Sequence, residues 1–240
     1  FQGEFAEALK ALVELTVNHI GSIVGSIVGL VVIYLLARFF NGLALFTVGC
    51  ALNDRMQIYA RTKFSTAFFT GFGKAALYTV IYVPLAFLYD AVTVLVSWFF
   101  FFYVLSFLVG HGFLSVIVSL MLTATAIIAL QALKLTIVSK WMPAVINGAK
   151  NGAALKASIS YGKNFGGRFS NFLVANYLII LINVICAIFT LGSALFLTLP
   201  MSFLFLLTLQ FVHFYEDEGR RYFISFEKLK GEEHEDIIQK

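Results

Sequence analysis

Charge is scarce in this sequence. Asp, Glu, Lys and Arg together make up 12% of its 240 residues, about half the share of a soluble globular domain. Cysteine is scarcer still. Cys50 and Cys186 are the only two, and they have no spacing partner, which argues against a disulfide-stapled secreted domain or a paired-thiolate metal site. Both sit in apolar stretches and are expected to be buried free thiols. Three prolines leave room for long helices, and 27 Phe stand against 2 Trp. With 60% hydrophobic residues and a mean hydropathy of +0.89, an ordinary soluble enzyme and a disordered tail are both excluded. The chain reads as an all-α integral membrane protein. Its net charge of +4 sits in the loops, which points to a membrane surface and not to nucleic acid.

Phe1-Gln2-Gly3 matches the remnant of a protease-cleaved purification tag. Residues 5–19 then alternate apolar and acidic positions at helical spacing, a short amphipathic lead-in. No charge occurs from Leu15 to Ala37, enough to cross a hydrocarbon core that needs about 20 residues. Gly21, Gly25 and Gly29 fall every fourth residue in this span and make a flat face on which another helix backbone can approach. That face reads either as a homodimer seam or as packing inside the protein's own bundle.

Arg55, Arg61, Lys63 and Lys74 are threaded with Phe64, Phe68, Phe69 and Phe72, the pattern of a basic interfacial helix over 55–74. From Ala75 to Leu133 the only formal charge is Asp90. Val109-Gly110-His111-Gly112 is a turn, Pro84 and Tyr89-Asp90 a weaker break, and the spans predicted here are 75–89, 91–108 and 113–138. Lys140-Trp141-Met142-Pro143 closes the last of these, with Trp at the interface and Pro stopping the helix. Residues 144–168 form a second basic interfacial segment. Phe169 to Tyr215 holds two further spans with a turn at Thr190-Leu191-Gly192-Ser193, and Pro200 is placed to kink the final helix. The transmembrane domain thus covers 4–215, and a charged cytoplasmic tail follows over 216–240.

Lys63-Phe64-Ser65 and Phe72-Gly73-Lys74 echo Lys156-Ala157-Ser158 and Phe165-Gly166-Gly167 at a constant shift, which suggests a duplicated three-helix unit. The span count is contested. Six spans put the two basic segments on opposite sides of the membrane, whereas five gather nearly every Lys and Arg on one side, as the positive-inside rule prefers. Against five, a helix through 75–108 is about 50 Å long where the core is about 30 Å, and Asp90 would lie inside the membrane at about 2.5–3.5 kcal/mol. The length argument favours about six spans, with five kept open. Both counts leave the C-terminus in the cytoplasm of a cell (inner) membrane.

No P-loop, dinucleotide fingerprint, HExxH or Cys/His metal spacing is present, so no catalytic residue, cofactor or metal is expected. His234, among Glu and Asp in the tail, reads as part of a solvated acidic segment. The candidate chemistry lies in the polar residues of the spans. Asp90, Gln131, Lys134, Asn176, Asn183 and Gln210, with Arg38, could line a polar path for a solute or head group. The other reading has the amides bonding across helices, Lys134 snorkelling and Asp90 capping a hairpin.

A span followed by Phe68-Phe69-Thr70-Gly71-Phe72-Gly73-Lys74 and a hairpin reaching Asp90, then Trp141-Met142-Pro143-Ala144 and Ala154-Leu155-Lys156-Ala157-Ser158, resembles the YesL-like small multi-pass membrane proteins of Gram-positive bacteria. That resemblance implies a permease component over residues 45–215 and supplies no site residues. The expected function is non-enzymatic transport of a small solute or lipid-like molecule. An accessory subunit, docked through the glycine face on a second copy or a partner subunit, is the alternative. An interfacial lipid-handling enzyme comes third, for want of an acid–base cluster.

Overall fold

In a lipid core every backbone N–H and C=O must be satisfied within the segment, so long uncharged runs fold as helices. The structure, a computed structural model, describes Val17 and residues 19–58, 63–108, 112–159 and 164–219. The tag remnant, most of the amphipathic lead-in, Arg61, the 109–111 part of the first turn, Lys163, and the tail from 220 with His234 lie outside the described residues. Among the described residues seven helices run α1 Ile20–Ile58, α2 Phe64–Phe107, α3 Phe113–Val138, α4 Trp141–Ile146, α5 Asn151–Ile159, α6 Phe165–Thr190 and α7 Leu195–Asp217. No strand occurs among the described residues. Several hydroxyls inside the spans bond back one turn, as Thr123 does to the Ser119 carbonyl and Thr136 to that of Ala132, whereas those of Thr79, Ser97 and Ser119 are buried without a hydrogen-bond partner.

Among the described residues, five helices are long and apolar enough to cross a membrane. The count of six therefore gives way to five: α2 continues through Pro84 and Asp90 as one helix of 44 residues. Proline withdraws a single N–H, a loss that membrane helices tolerate, and Asp90 caps nothing because it turns sideways to a neighbouring helix. The 39 residues of α1 likewise run through Arg38 and Asn41 without a break. At 1.5 Å per residue α1 and α2 are about 58 and 66 Å long, far beyond a core of about 30 Å. Residues 55–74 form no single interfacial helix, since they comprise the end of α1 and the first turns of α2. The second basic segment does hold a short helix, α5, docked on α3 through a hydrogen bond from Ser158 Oγ to the Ile137 carbonyl. Five spans do not divide into two three-span units. The two echoing segments also differ locally, one opening α2 and the other ending α5 and opening α6.

Successive contacts α1–α2, α2–α3, α3–α6, α6–α7 and α7–α1 close a ring of five long helices, and α4 plugs one end of it. The core sits at that end. Trp141 is buried there against Tyr78 (5.0 Å between ring centroids) and Tyr82 (6.1 Å), so it is a core residue and not the interface residue expected. Pro143 lies inside the first turn of α4, where its missing N–H leaves no intrahelical bond unmade, and it does not stop a helix. Asn147 ties this end together by donating to Asn53 and accepting from Gln57, while the Tyr215 hydroxyl also donates to Asn53. Arg55, Lys63, Lys74, Lys140, Lys150, Lys156 and Arg168 all lie at or near this end, which we term the basic end. The turn after α6 forms as expected, with Leu191 and Gly192 both at positive φ.

Among the described glycines the most tightly hemmed is Gly42. A Cβ there would stand 2.6 Å from Thr79 Cγ2, and Thr79 is fully buried and stiff at χ1 because it is β-branched. Gly42→Ala is expected to destabilise the protein by about 1–3 kcal/mol through overpacking, with Thr79→Ala in the same chain restoring most of it. Detergent unfolding followed by circular dichroism checks this, and an unchanged midpoint in the single variant would refute the tight crossing.

Candidate functional site

Away from the basic end, the described spans carry three formal charges, one each from α1, α2 and α3, and all three meet. Lys134 Nζ donates to Asp90 Oδ1 at 2.7 Å and Gln131 Nε2 donates to the same oxygen at 3.2 Å. The three-residue spacing of Gln131 and Lys134 puts both on one face of α3. Arg38 stands more loosely, its Nη2 3.7 Å from Asp90 Oδ2. Its Nε donates to the Tyr34 hydroxyl one turn earlier, at 2.9 Å. The Tyr89 hydroxyl donates to the Leu130 carbonyl at 2.7 Å and pins α2 to α3 beside the carboxylate.

The cluster holds two cations for one anion. The Lys134 side chain is 11% exposed and that of Arg38 49% exposed. Lys134 therefore pairs with Asp90 instead of snorkelling, and Arg38 presents a half-open guanidinium fork.

Beside the cluster lies a cavity of about 500 Å³ inside the ring, lined by all five long helices and by Met142 of α4. Asp90, Gln131, Lys134, Asn176 and Gln210 all line it, so five of the six residues expected to form a polar path come together. Asn176 spends its amide N–H on the Phe172 carbonyl of its own helix. Gln210 is 9% exposed, and no hydrogen-bond partner for its side chain exists among the described residues. The sixth residue, Asn183, lies elsewhere. It donates to Ser202 at 3.1 Å and accepts from Thr198 at 2.6 Å, a bond pair that joins α6 to α7. His213 shares a face with Gln210 in sequence but turns to Asn171 (3.5 Å) and Glu216 (3.6 Å).

Tyr34, Phe87 and Asp90 belong both to the cavity and to a groove of about 560 Å³ that continues along α2 past Ala91, Val94, Leu95 and Trp98. Beyond Asp90 the groove walls are nearly all apolar.

Tyr34, Asn41 and Tyr82 also line the cavity and were missed in the sequence. The spacing Tyr34, Arg38, Asn41 places a phenol, a guanidinium and an amide on one helical face, and that stripe was the available signal.

The glycine face has a different outcome. No described atom lies within 4 Å of a Cβ built at Gly21, Gly25 or Gly29, so the face does not pack within the described bundle. Cys50 and Cys186 are free thiols, half-buried and not fully buried.

The site offers binding chemistry: an ion cluster, three further amides (Asn41, Asn176 and Gln210) and phenols around a space of ligand size. No family model, no curated protein and no solved structure matches this chain.

Proposed function

We propose that the chain is a permease, or a permease component, that takes a small solute or lipid-like molecule into the cavity between its helices. One observation carries this reading. Polar side chains from α1, α2, α3, α6 and α7 converge on one space, although amides such as Asn176 and Gln210 are expensive to keep in a span. Packing alone gives no reason for that convergence, and the Gln210 side chain in particular makes no hydrogen bond among the described residues. The one-sided Lys and Arg distribution supports a cell (inner) membrane orientation with the basic end, and the chain that follows α7, in the cytoplasm. The resemblance to YesL-like proteins agrees with a permease role.

Proteoliposomes containing a pool of small solutes and a headgroup-labelled phospholipid test the reading directly. Wild-type protein is expected to move at least one probe, and Gln210→Leu combined with Asn176→Leu to slow it by about tenfold or more, the effect of removing polar contacts worth about 1.4 kcal/mol in total. Asn183→Ala is expected to leave the rate unchanged. Protein that moves no probe would sink the proposal.

The open glycine face favours a second reading, an accessory subunit that pairs with a second copy or a partner subunit. Gly25→Ile is then expected to change the mass of the native assembly. An unaltered mass and an unaltered set of co-purifying proteins would exclude it.

A further inference from the structure

The geometry points to a ligand class for this cavity: one anionic lipid from the leaflet on the basic side, its head group in the cavity and an acyl chain in the α2 groove. This rests on the binding role proposed above and makes it specific.

Three features carry it. The first is charge. Asp90 gives one oxygen to Lys134 and Gln131, while its other oxygen stays 3.7 Å from Arg38. The cluster keeps one positive charge in excess, on a planar fork suited to phosphate or carboxylate oxygens. The second is the unpartnered Gln210 amide, nine-tenths buried at the cavity wall, which can bond a head-group hydroxyl or ester. The third is depth. Counted along their helices from the end opposite the basic one, Arg38, Asp90 and Lys134 lie about 27, 26 and 31 Å in. With a hydrocarbon core of about 30 Å, that is head-group level on the basic side. The groove then runs from Asp90 to Trp98, about 12 Å towards the bilayer middle, the course an acyl chain takes from a head group held there. Cavity and groove join through Tyr34, Phe87 and Asp90, so one amphiphile can fill both. The cytoplasmic leaflet is also where anionic lipids concentrate.

Trp98 in the groove reports the tail directly. The full chain is reconstituted in phosphatidylcholine vesicles with a minor fraction of either phosphatidylglycerol or phosphatidylcholine carrying brominated acyl chains, since bromine quenches tryptophan on contact. Subtracting the signal of Trp98→Phe isolates Trp98 from Trp141. Brominated phosphatidylglycerol is expected to half-quench Trp98 at about one-tenth the mole fraction that brominated phosphatidylcholine needs, the factor one charge-assisted hydrogen bond supplies. Arg38→Gln is expected to abolish that preference. Arg38→Lys is expected to keep most of it, and Lys150→Gln at the basic end all of it. Equal quenching by the two lipids would overturn the inference. So would loss of the preference on adding inorganic phosphate, which would assign the site to a free anion. A chain that shows the preference yet moves no probe loses the transport reading alone. One that moves a solute without the preference loses only this inference.

Discussion

Asp90→Leu is expected to destabilise the protein by about 2 kcal/mol. The substitution strands Lys134 in the ring with Tyr89, Gln131 and apolar neighbours and leaves no anion near it. Removing one partner of a fully buried ion pair costs about 3–5 kcal/mol. The Asp90 side chain keeps 21% exposure and Arg38 nearly half, so the smaller figure applies after screening. The diagnostic variant is the double one. Asp90→Leu with Lys134→Met replaces a charge pair by apolar groups of similar reach and is expected to recover most of the loss. Stability is read from SDS-titration unfolding by circular dichroism, and the four proteins form a double-mutant cycle. If the double variant were as unstable as Asp90→Leu, the pair would not be what holds α2 to α3 at this level.

The larger effect is expected at the basic end. Asp217, at the last turn of α7, lies 2.7 Å from Lys140 and 3.4 Å from Arg168. One carboxylate therefore joins the end of α3, the start of α6 and the end of α7. The Arg168 side chain is 3% exposed, and its Nε and Nη1 make no hydrogen bond, so its charge leans on the Asp217 carboxylate. Asp217→Leu is expected to lose about 3 kcal/mol, with Arg168→Met in the same chain regaining a large part. A variant that unfolds with the wild-type midpoint would show that the three helix ends are held by packing alone.

Much of this architecture is legible in the sequence, because an uncharged run in lipid has one outcome. The span at 113–138 and the turn at 190–193 appear where hydropathy and glycine place them. The failures have a common cause. A single charge in an apolar run was read as a break at Asp90, yet its partner Lys134 lies 44 residues away and Arg38 lies on another helix. Local pattern cannot distinguish a carboxylate that ends a helix from one that meets a cation on the helix beside it. Trp141 misled for a related reason. Trp beside Lys is a common interfacial pair, and only the folded ring of helices shows Tyr78 and Tyr82 enclosing it. Five of the six polar residues singled out line one cavity, but nothing in their spacing says that Asn183 serves the α6–α7 contact while Asn176 and Gln210 reach the cavity.

Along α1 the first buried residue is Gly42. The stretch before it, 22 residues from Ile20, is about 33 Å long; its described side chains are all exposed up to Leu30, while Tyr34, Arg38 and Phe39 meet the bundle. That lightly held outer part is expected to tilt until its apolar length matches the hydrocarbon around it. Tyr34 and Arg38 ride on this same rod. A thinner membrane that leans the outer part of the rod is expected to pull on the wall that Tyr34 and Arg38 give the charged cavity.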